Sequence, residues 1–284
     1  MIHVCIIGQG LIGGSLGMAL RRVRSRGRRL YIVNGFDLSK KRLSLAKRTG
    51  AADQVSLSLT DSVSRADVVV LATPVQVMPG LVKKIVRTLK KGAILTDVGS
   101  VKELIGEEIR KGLNVRPDVK FVGGHPLAGS EKSGIENASA ELFSGSFIVL
   151  TTDKVDKMAL RQVAALWKSV GAQTLFLNSE HHDKTLALTS HLPHLISFAL
   201  FSQANKTFHR NKSMHHFAAG SFRDMTRVAG SDAEVWAGIF SVNQVELKKS
   251  WRVFQSEVNR LLNLSGSALE KSLSSISISK RRWK

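Results

Sequence analysis

The chain has 284 residues, 43% of them hydrophobic, which is enough for two domains with cores of their own and too apolar for a disordered chain. Its 42 Lys and Arg against 22 Asp and Glu give a formal charge of +20. The single tyrosine and the lack of aromatics within the basic runs exclude a base-stacking platform, so nucleic-acid binding is not the expected use of that charge. A positive field that draws in small anions is the more economical reading. Cys5, the only cysteine, excludes an intramolecular disulfide and lies in the apolar run Val4-Cys5-Ile6-Ile7, as an inert buried thiol would. No apolar run reaches membrane-spanning length, and the glycine-broken start with no basic n-region is a poor signal peptide, so a cytoplasmic protein is expected.

In chain order, short β-type runs at 2–7, 31–36, 68–72, 93–97, 119–122 and 146–151 alternate with helical patterns at 16–26, 40–49, 77–89 and 102–111. This alternation predicts a doubly wound, mainly parallel α/β sheet. A further helix at 158–170 precedes an apolar run at 174–177, a candidate for a last strand. Beyond residue 180 long helical patterns take over, at 184–205 and 232–262. The predicted organisation is therefore a nucleotide-binding Rossmann-type domain over 1–178 and an all-helical domain over 179–264. A basic, Ser-rich tail over 265–284 is expected to be flexible.

The first chemistry-bearing motif is Gly8-Gln9-Gly10-Leu11-Ile12-Gly13, which follows a strand and opens a helix. Gly8 suits the tight turn, Gly10 close approach to a pyrophosphate, and Gly13 close helix–strand packing, with Leu11 and Ile12 starting the helix that receives the phosphates. Asp37 ends the second strand where a carboxylate would bind the adenosine ribose, which favours NAD; Lys40-Lys41-Arg42 just beyond leave NADP open. Thr73, in Ala72-Thr73-Pro74, either lines the cofactor or is a turn residue before proline.

The second is the glycine-rich segment Gly123-Gly124-His125-Pro126-Leu127-Ala128-Gly129-Ser130-Glu131-Lys132-Ser133-Gly134, expected as a loop where a strand leaves the sheet. It carries a proton-handling histidine, a carboxylate and two hydroxyls. Ser100, in Asp97-Val98-Gly99-Ser100-Val101-Lys102, is either a helix N-cap or a site hydroxyl. Thr189-Ser190-His191-Leu192-Pro193-His194 sets two histidines three apart, but neither His181-His182 nor His215-His216 completes a metal pattern with them, so no metal is expected. Phe222-Arg223-Asp224-Met225-Thr226-Arg227 precedes Gly230-Ser231-Asp232 and Trp236.

Together, and in this order, these segments resemble the prephenate/arogenate dehydrogenase family of tyrosine biosynthesis over nearly the whole chain. The resemblance implies oxidative decarboxylation of a cyclohexadienol, with hydride passing to NAD. By that likeness His125 is the catalytic histidine that takes the C4 hydroxyl proton, at an ordinary imidazole pKa near ~6.5. Ser100 orients the hydroxyl or the nicotinamide. Arg227 clamps the ring carboxylate, for which its bidentate fork is suited. His194 helps to hold the side-chain carboxylate, Ser130 and Glu131 shape the pocket, and Glu131 is either a gating ion-pair partner or a surface charge. The resemblance also implies a homodimer in which Trp236 and the segment around Asp224 reach the site from the other subunit. Prephenate is favoured over arogenate by His194 and the positive charge, with dual specificity open. The competing readings are a β-hydroxyacid dehydrogenase, which would need a catalytic lysine near Lys184, and a non-catalytic nucleotide-sensing or nucleic-acid-binding protein, which would have lost His125, Ser100 or Arg227.

Overall fold

Continuous apolar runs such as Val68–Leu71, buried along their whole length, are what a parallel sheet covered on both faces requires. In the computed structural model, which describes residues 1–128, 132–208 and 216–283, six strands form that sheet. They are β1 (Ile2–Ile7), β4 (Tyr31–Phe36), β5 (Gln54–Ser56), β6 (Val68–Leu71), β7 (Ile94–Asp97) and β8 (Lys120–Val122), in the order β5-β4-β1-β6-β7-β8. All pairings are parallel, and the order reverses direction at β1, which opens a crevice at the C-terminal ends of β1 and β6.

Alternation along β1 divides the core. Val4 and Ile6 face α1 (Leu11–Arg22) and α6 (Lys157–Ser169), packing with Leu16, Leu20, Val163 and Trp167. Cys5 and Ile7 face α4 (Met78–Ile85) and α5 (Glu103–Leu113), with Val82, Ile85, Ile105 and Ile109. Burial pushes the Cys5 thiol up to about 12.

Several elements differ from the sequence reading. Helix α1 starts at Leu11 and stops at Arg22; the expected last turn is instead a hairpin of β2 (Arg24–Ser25) and β3 (Arg28–Arg29). Arg26 and Gly27 turn it at φ of 50° and 76°, the left-handed pair that two-residue hairpins favour. The histidine segment is not all loop. After Gly123 the chain enters β9 (Gly124–Pro126), the edge strand of a separate three-stranded sheet. There it runs antiparallel to β10 (Phe147–Thr151), while β11 (Gln173–Leu177) runs parallel to β10.

The change to helix comes at Asn178, whose side chain accepts the His181 amide and caps α7 (Ser179–Leu186). The helix expected over 184–205 is interrupted by a π turn, Ala187–His191, before α8 (Leu192–Phe208). Pro193, which lacks an N–H to carry on a regular ladder, is the second residue after that turn. Short α9 (Gly220–Thr226) leads through a 3-10 turn, Arg227–Gly230, to α10 (Ala233–Val242). Asn243, at φ −99° and ψ 27°, separates α10 from α11 (Gln244–Leu262), so the helix expected over 232–262 is two.

Helix α10 lies close on the 3-10 turn Val75–Val77 that follows β6: a Cβ on Gly238 would sit 2.1 Å from the Gln76 side-chain oxygen. The tail expected to be flexible carries helix α12 (Gly266–Arg282). Its serines suggested irregular chain, but Leu269, Leu273 and Ile276 recur at helical spacing. Among the described residues no helix is long and apolar enough to cross a membrane.

Candidate active site

The C-terminal ends of four neighbouring strands carry the expected site in spatial order. β1 leads into Gly8, β6 into Thr73, β7 ends at Asp97 before Ser100, and β8 leads through Gly123 to His125. The first part of the site is made by removing side chains. Gly8 has φ 102°, and a Cβ there would lie 2.3 Å from the Ala72 carbonyl oxygen. A Cβ on Gly13 would lie 2.0 Å from the Gly8 carbonyl oxygen. Gly10, by contrast, faces open space. It starts α1, and no side chain caps that helix or places an acidic group in its first turn. Leu11 and Ile12 therefore present uncapped amide donors to an open volume, the arrangement that accepts a pyrophosphate.

Asp37 lies beside this volume, nearly buried, and accepts the Gln9 and Ser39 amides at 2.8 Å each. Arg42 approaches it to 3.9 Å, so the nearest of the basic side chains after β4 is drawn to the carboxylate. Thr73 packs on Gly8, and its hydroxyl is buried with no hydrogen-bond partner among the described residues. An uncapped helix start, an open Gly10 and an orphaned Thr73 hydroxyl all fit a dinucleotide.

The second part is made of side chains. His125, 8% exposed, is bracketed on two sides. Below it, Lys102 is buried and pairs with Asp97, and it also donates to the Gly124 carbonyl at 2.7 Å. Asp97 in turn accepts the Gly99 and Gly124 amides. This ion pair pins β9 to the end of β7. Beside it, His125 Nδ1 lies 2.8 Å from Nε2 of the fully buried His182, and His182 Nδ1 lies 2.7 Å from Asp183. The Asp183 carboxylate also accepts the Lys102 and Glu103 amides at 2.8 and 2.9 Å, capping α5 from the helical region. Burial holds the His125 imidazole well below the usual histidine range, and His182, Lys102 and His191 push the same way. The ordinary value expected from the sequence is thus corrected: the surroundings of this ring favour its neutral form.

Ser100 is not the N-cap of α5, which is Lys102, and its hydroxyl makes no hydrogen bond among the described residues. His191 is buried against Asn243, whose amide nitrogen lies 3.1 Å from its Nδ1 and donates to the Asp183 carbonyl. Burial pushes it down to about 4 against the pull of Asp183. His194 donates from Nδ1 to the Ser190 carbonyl at 2.9 Å and stacks on Trp236, centroids 3.5 Å apart at 19°. Burial lowers its pKa; the Ser190 carbonyl opposes that and the Arg227 charge adds to it. Arg227 opens the exposed turn that packs against α8, near enough to act on His194. Within the chain, Trp236 stacks on its own His194. Ser130 and Glu131 lie outside the described residues. Among the described residues no group of three His, Cys, Asp or Glu side chains is placed to hold a metal.

The cradle and the histidine cluster both lie at the C-terminal ends of the strands of one sheet. Residues 18–176 match the family profile described as prephenate dehydrogenase, nucleotide-binding domain, and residues 178–274 that described as prephenate dehydrogenase, dimerization domain. The chain belongs to the prephenate dehydrogenase family. It is 33% identical over 261 residues to a cyclohexadienyl dehydrogenase of Zymomonas mobilis, covering 91% of this chain and 87% of that one. It is 32% identical over 260 residues to the Bacillus subtilis prephenate dehydrogenase, covering 91% and 68%. The crystal structure of A. aeolicus prephenate dehydrogenase in complex with hydroxyphenyl propionate and NAD+ superposes with a TM-score of 0.89 at 32% identity, covering 100% of this chain and 99% of that one.

Within this family site, the sequence reading missed Lys102, His182, Asp183 and Asn243. Lys102 stood in a motif already noticed, and its position just before a helix was the available signal. His182 was weighed only as a metal ligand. Nothing local marked Asn243, whose partners lie far along the chain, or the bonds by which Asp183, the neighbour of His182, reaches the start of α5.

Proposed function

We propose that this chain catalyses the NAD-dependent oxidative decarboxylation of prephenate to 4-hydroxyphenylpyruvate, in tyrosine biosynthesis. The observation that carries the reading is the neutral, buried His125 held at the crevice that the glycine cradle opens onto. Leu11, Ile12 and Asp37 would hold NAD, which when bound would supply the acceptor for the hydride that leaves C4. His125 takes the C4 hydroxyl proton as that bond breaks, and Ser100, with its uncommitted hydroxyl, orients the same oxygen. Loss of carbon dioxide from C1 leaves its electron pair to the ring. His125 returns the proton to the phenolic oxygen, so the base is regenerated. Arg227 binds the ring carboxylate, His194 on its Trp236 platform meets the side chain, and Ser130 and Glu131 complete the pocket. Thr73 lines the cofactor beside Gly8.

The division of labour falls near Asn178, with the nucleotide on one side and the substrate-binding helices on the other. A homodimer built through the helical half is supported by the dimerization-domain match and by exposed Trp251, Val253, Leu262 and Leu273 on α11 and α12. We place the enzyme in the cytoplasm.

One observation favours a second substrate. His194 spends its Nδ1–H on Ser190, so the neutral ring offers a lone pair at Nε2, which an ammonium can donate to. Arogenate carries an ammonium where prephenate carries a keto group, so this acceptor is the observation that favours arogenate as a second substrate. Reduction of NAD and of NADP, followed at fixed enzyme with prephenate and then arogenate, tests both readings. NAD reduction with prephenate is expected; no turnover with either substrate sinks the enzymatic reading, and turnover with prephenate alone removes the second.

A further inference from the structure

His125 is a ring with one nitrogen already engaged, and the partner at that nitrogen decides what the other can do. His182 is fully buried and lies between His125 and Asp183. The Asp183 carboxylate accepts two backbone amides, so it meets His182 as an acceptor and the proton between them belongs to His182 Nδ1. With its one ring proton directed at Asp183, His182 presents a lone pair at Nε2. The 2.8 Å contact to His125 Nδ1 requires a proton, and it must come from His125. We propose that His182, oriented by Asp183, is a positioning residue that locks His125 in the Nδ1–H tautomer and leaves its Nε2 lone pair to the substrate.

This deepens the reading of the site given above and rests on His125 being the base of that reaction. The lock comes from outside the α/β region. His182 and Asp183 lie on α7, and Asn243, at the break between α10 and α11, holds the Asp183 carbonyl at 2.9 Å. The tautomer of a residue on β9 is thus set by the helical half of the molecule, through a carboxylate that also caps α5. When His125 takes the substrate proton it becomes an imidazolium, and its Nδ1–H still has an acceptor in His182; no second proton moves.

The test has two arms. In the unliganded full-length protein, long-range ¹H–¹⁵N correlation spectra report which imidazole nitrogen carries the proton, with His125 assigned by its loss in His125→Asn. The expected result is His125 protonated at Nδ1 and unprotonated at Nε2; protonation at Nε2 overturns the proposal. This arm needs no turnover, so it stands apart from whether prephenate is the substrate. In the kinetic arm, His182→Leu removes the acceptor and is expected to lower kcat by about 10²-fold with KM for prephenate and NAD little changed. His182→Gln, whose Oε1 can accept from Nδ1–H, is expected to recover most of that loss. If His182→Leu keeps kcat within about two-fold of the parent, or the Gln variant is no better than Leu, the positioning role is wrong. Should His182→Leu fail to fold, the tautomer in the parent protein decides alone.

Discussion

The two halves of the crevice are built by opposite means. The nucleotide cradle exists because side chains are missing: at Gly8 and Gly13 a single methyl would meet backbone oxygen at 2.3 and 2.0 Å. The histidine side exists because side chains are present, buried and mutually satisfied, from His125 through His182 to Asp183 and the start of α5. A cradle of backbone amides tolerates many sequences around it but none within it. A relay of side chains depends on partners as much as 81 residues apart and fails at any of its links.

This contrast predicts that the two halves can be broken separately. The largest effect is expected from His125→Asn, which should lower kcat by about 10²- to 10⁴-fold while NAD affinity, read by fluorescence titration, stays put. An intact kcat in that variant removes His125 as the base. Arg227→Ala should act mainly on KM for prephenate, raising it about 10- to 100-fold, the loss of a charge-assisted hydrogen bond worth about 1.5–3 kcal/mol. A fall in kcat with unchanged KM would move Arg227 from binding to chemistry. Gly13→Ala should destabilise the fold by about 1–3 kcal/mol in urea melts and weaken NAD binding, while kcat at saturating cofactor changes less than in His125→Asn.

The smallest effect is one of pH. The His125 pKa is held below the usual histidine range, so the base is already unprotonated at pH ~6.5 and above. Lowering the pH from ~8 to ~6.5 should therefore lower kcat/KM less than about two-fold through this ring, with activity lost only further down as it gains a proton. An acid limb centred near pH 6.5 would mean that His182, Lys102 and burial do not act on this ring as the geometry requires.

The same contrast explains what could be read from the chain alone. The fingerprint, the strand alternation and Asp37 are local: each is set by residues within a few positions, and the sheet order follows from the βαβ rule. Helix ends were less legible. The hairpin after α1 needed Arg26 and Gly27 in left-handed geometry and Asp53 to gather Arg21 and Arg29, a contact made across the fold. The break at Asn243 lies inside a good helical pattern and arises because its amide is needed by Asp183 and His191. His125 was visible as chemistry but placed on a loop, since three residues of β9 pair only with β10, more than twenty residues on. Its altered acidity was invisible for the same reason: every group that shifts it comes from elsewhere in the chain.

The single thiol has a practical bearing. Cys5 is sealed in β1 with its pKa raised to about 12, so alkylating probes used at neutral pH will pass it by. For labelling, the native chain already behaves as a cysteine-free background. A cysteine introduced at exposed Leu38, next to Asp37, would take up a fluorophore alone and report nucleotide occupancy in real time.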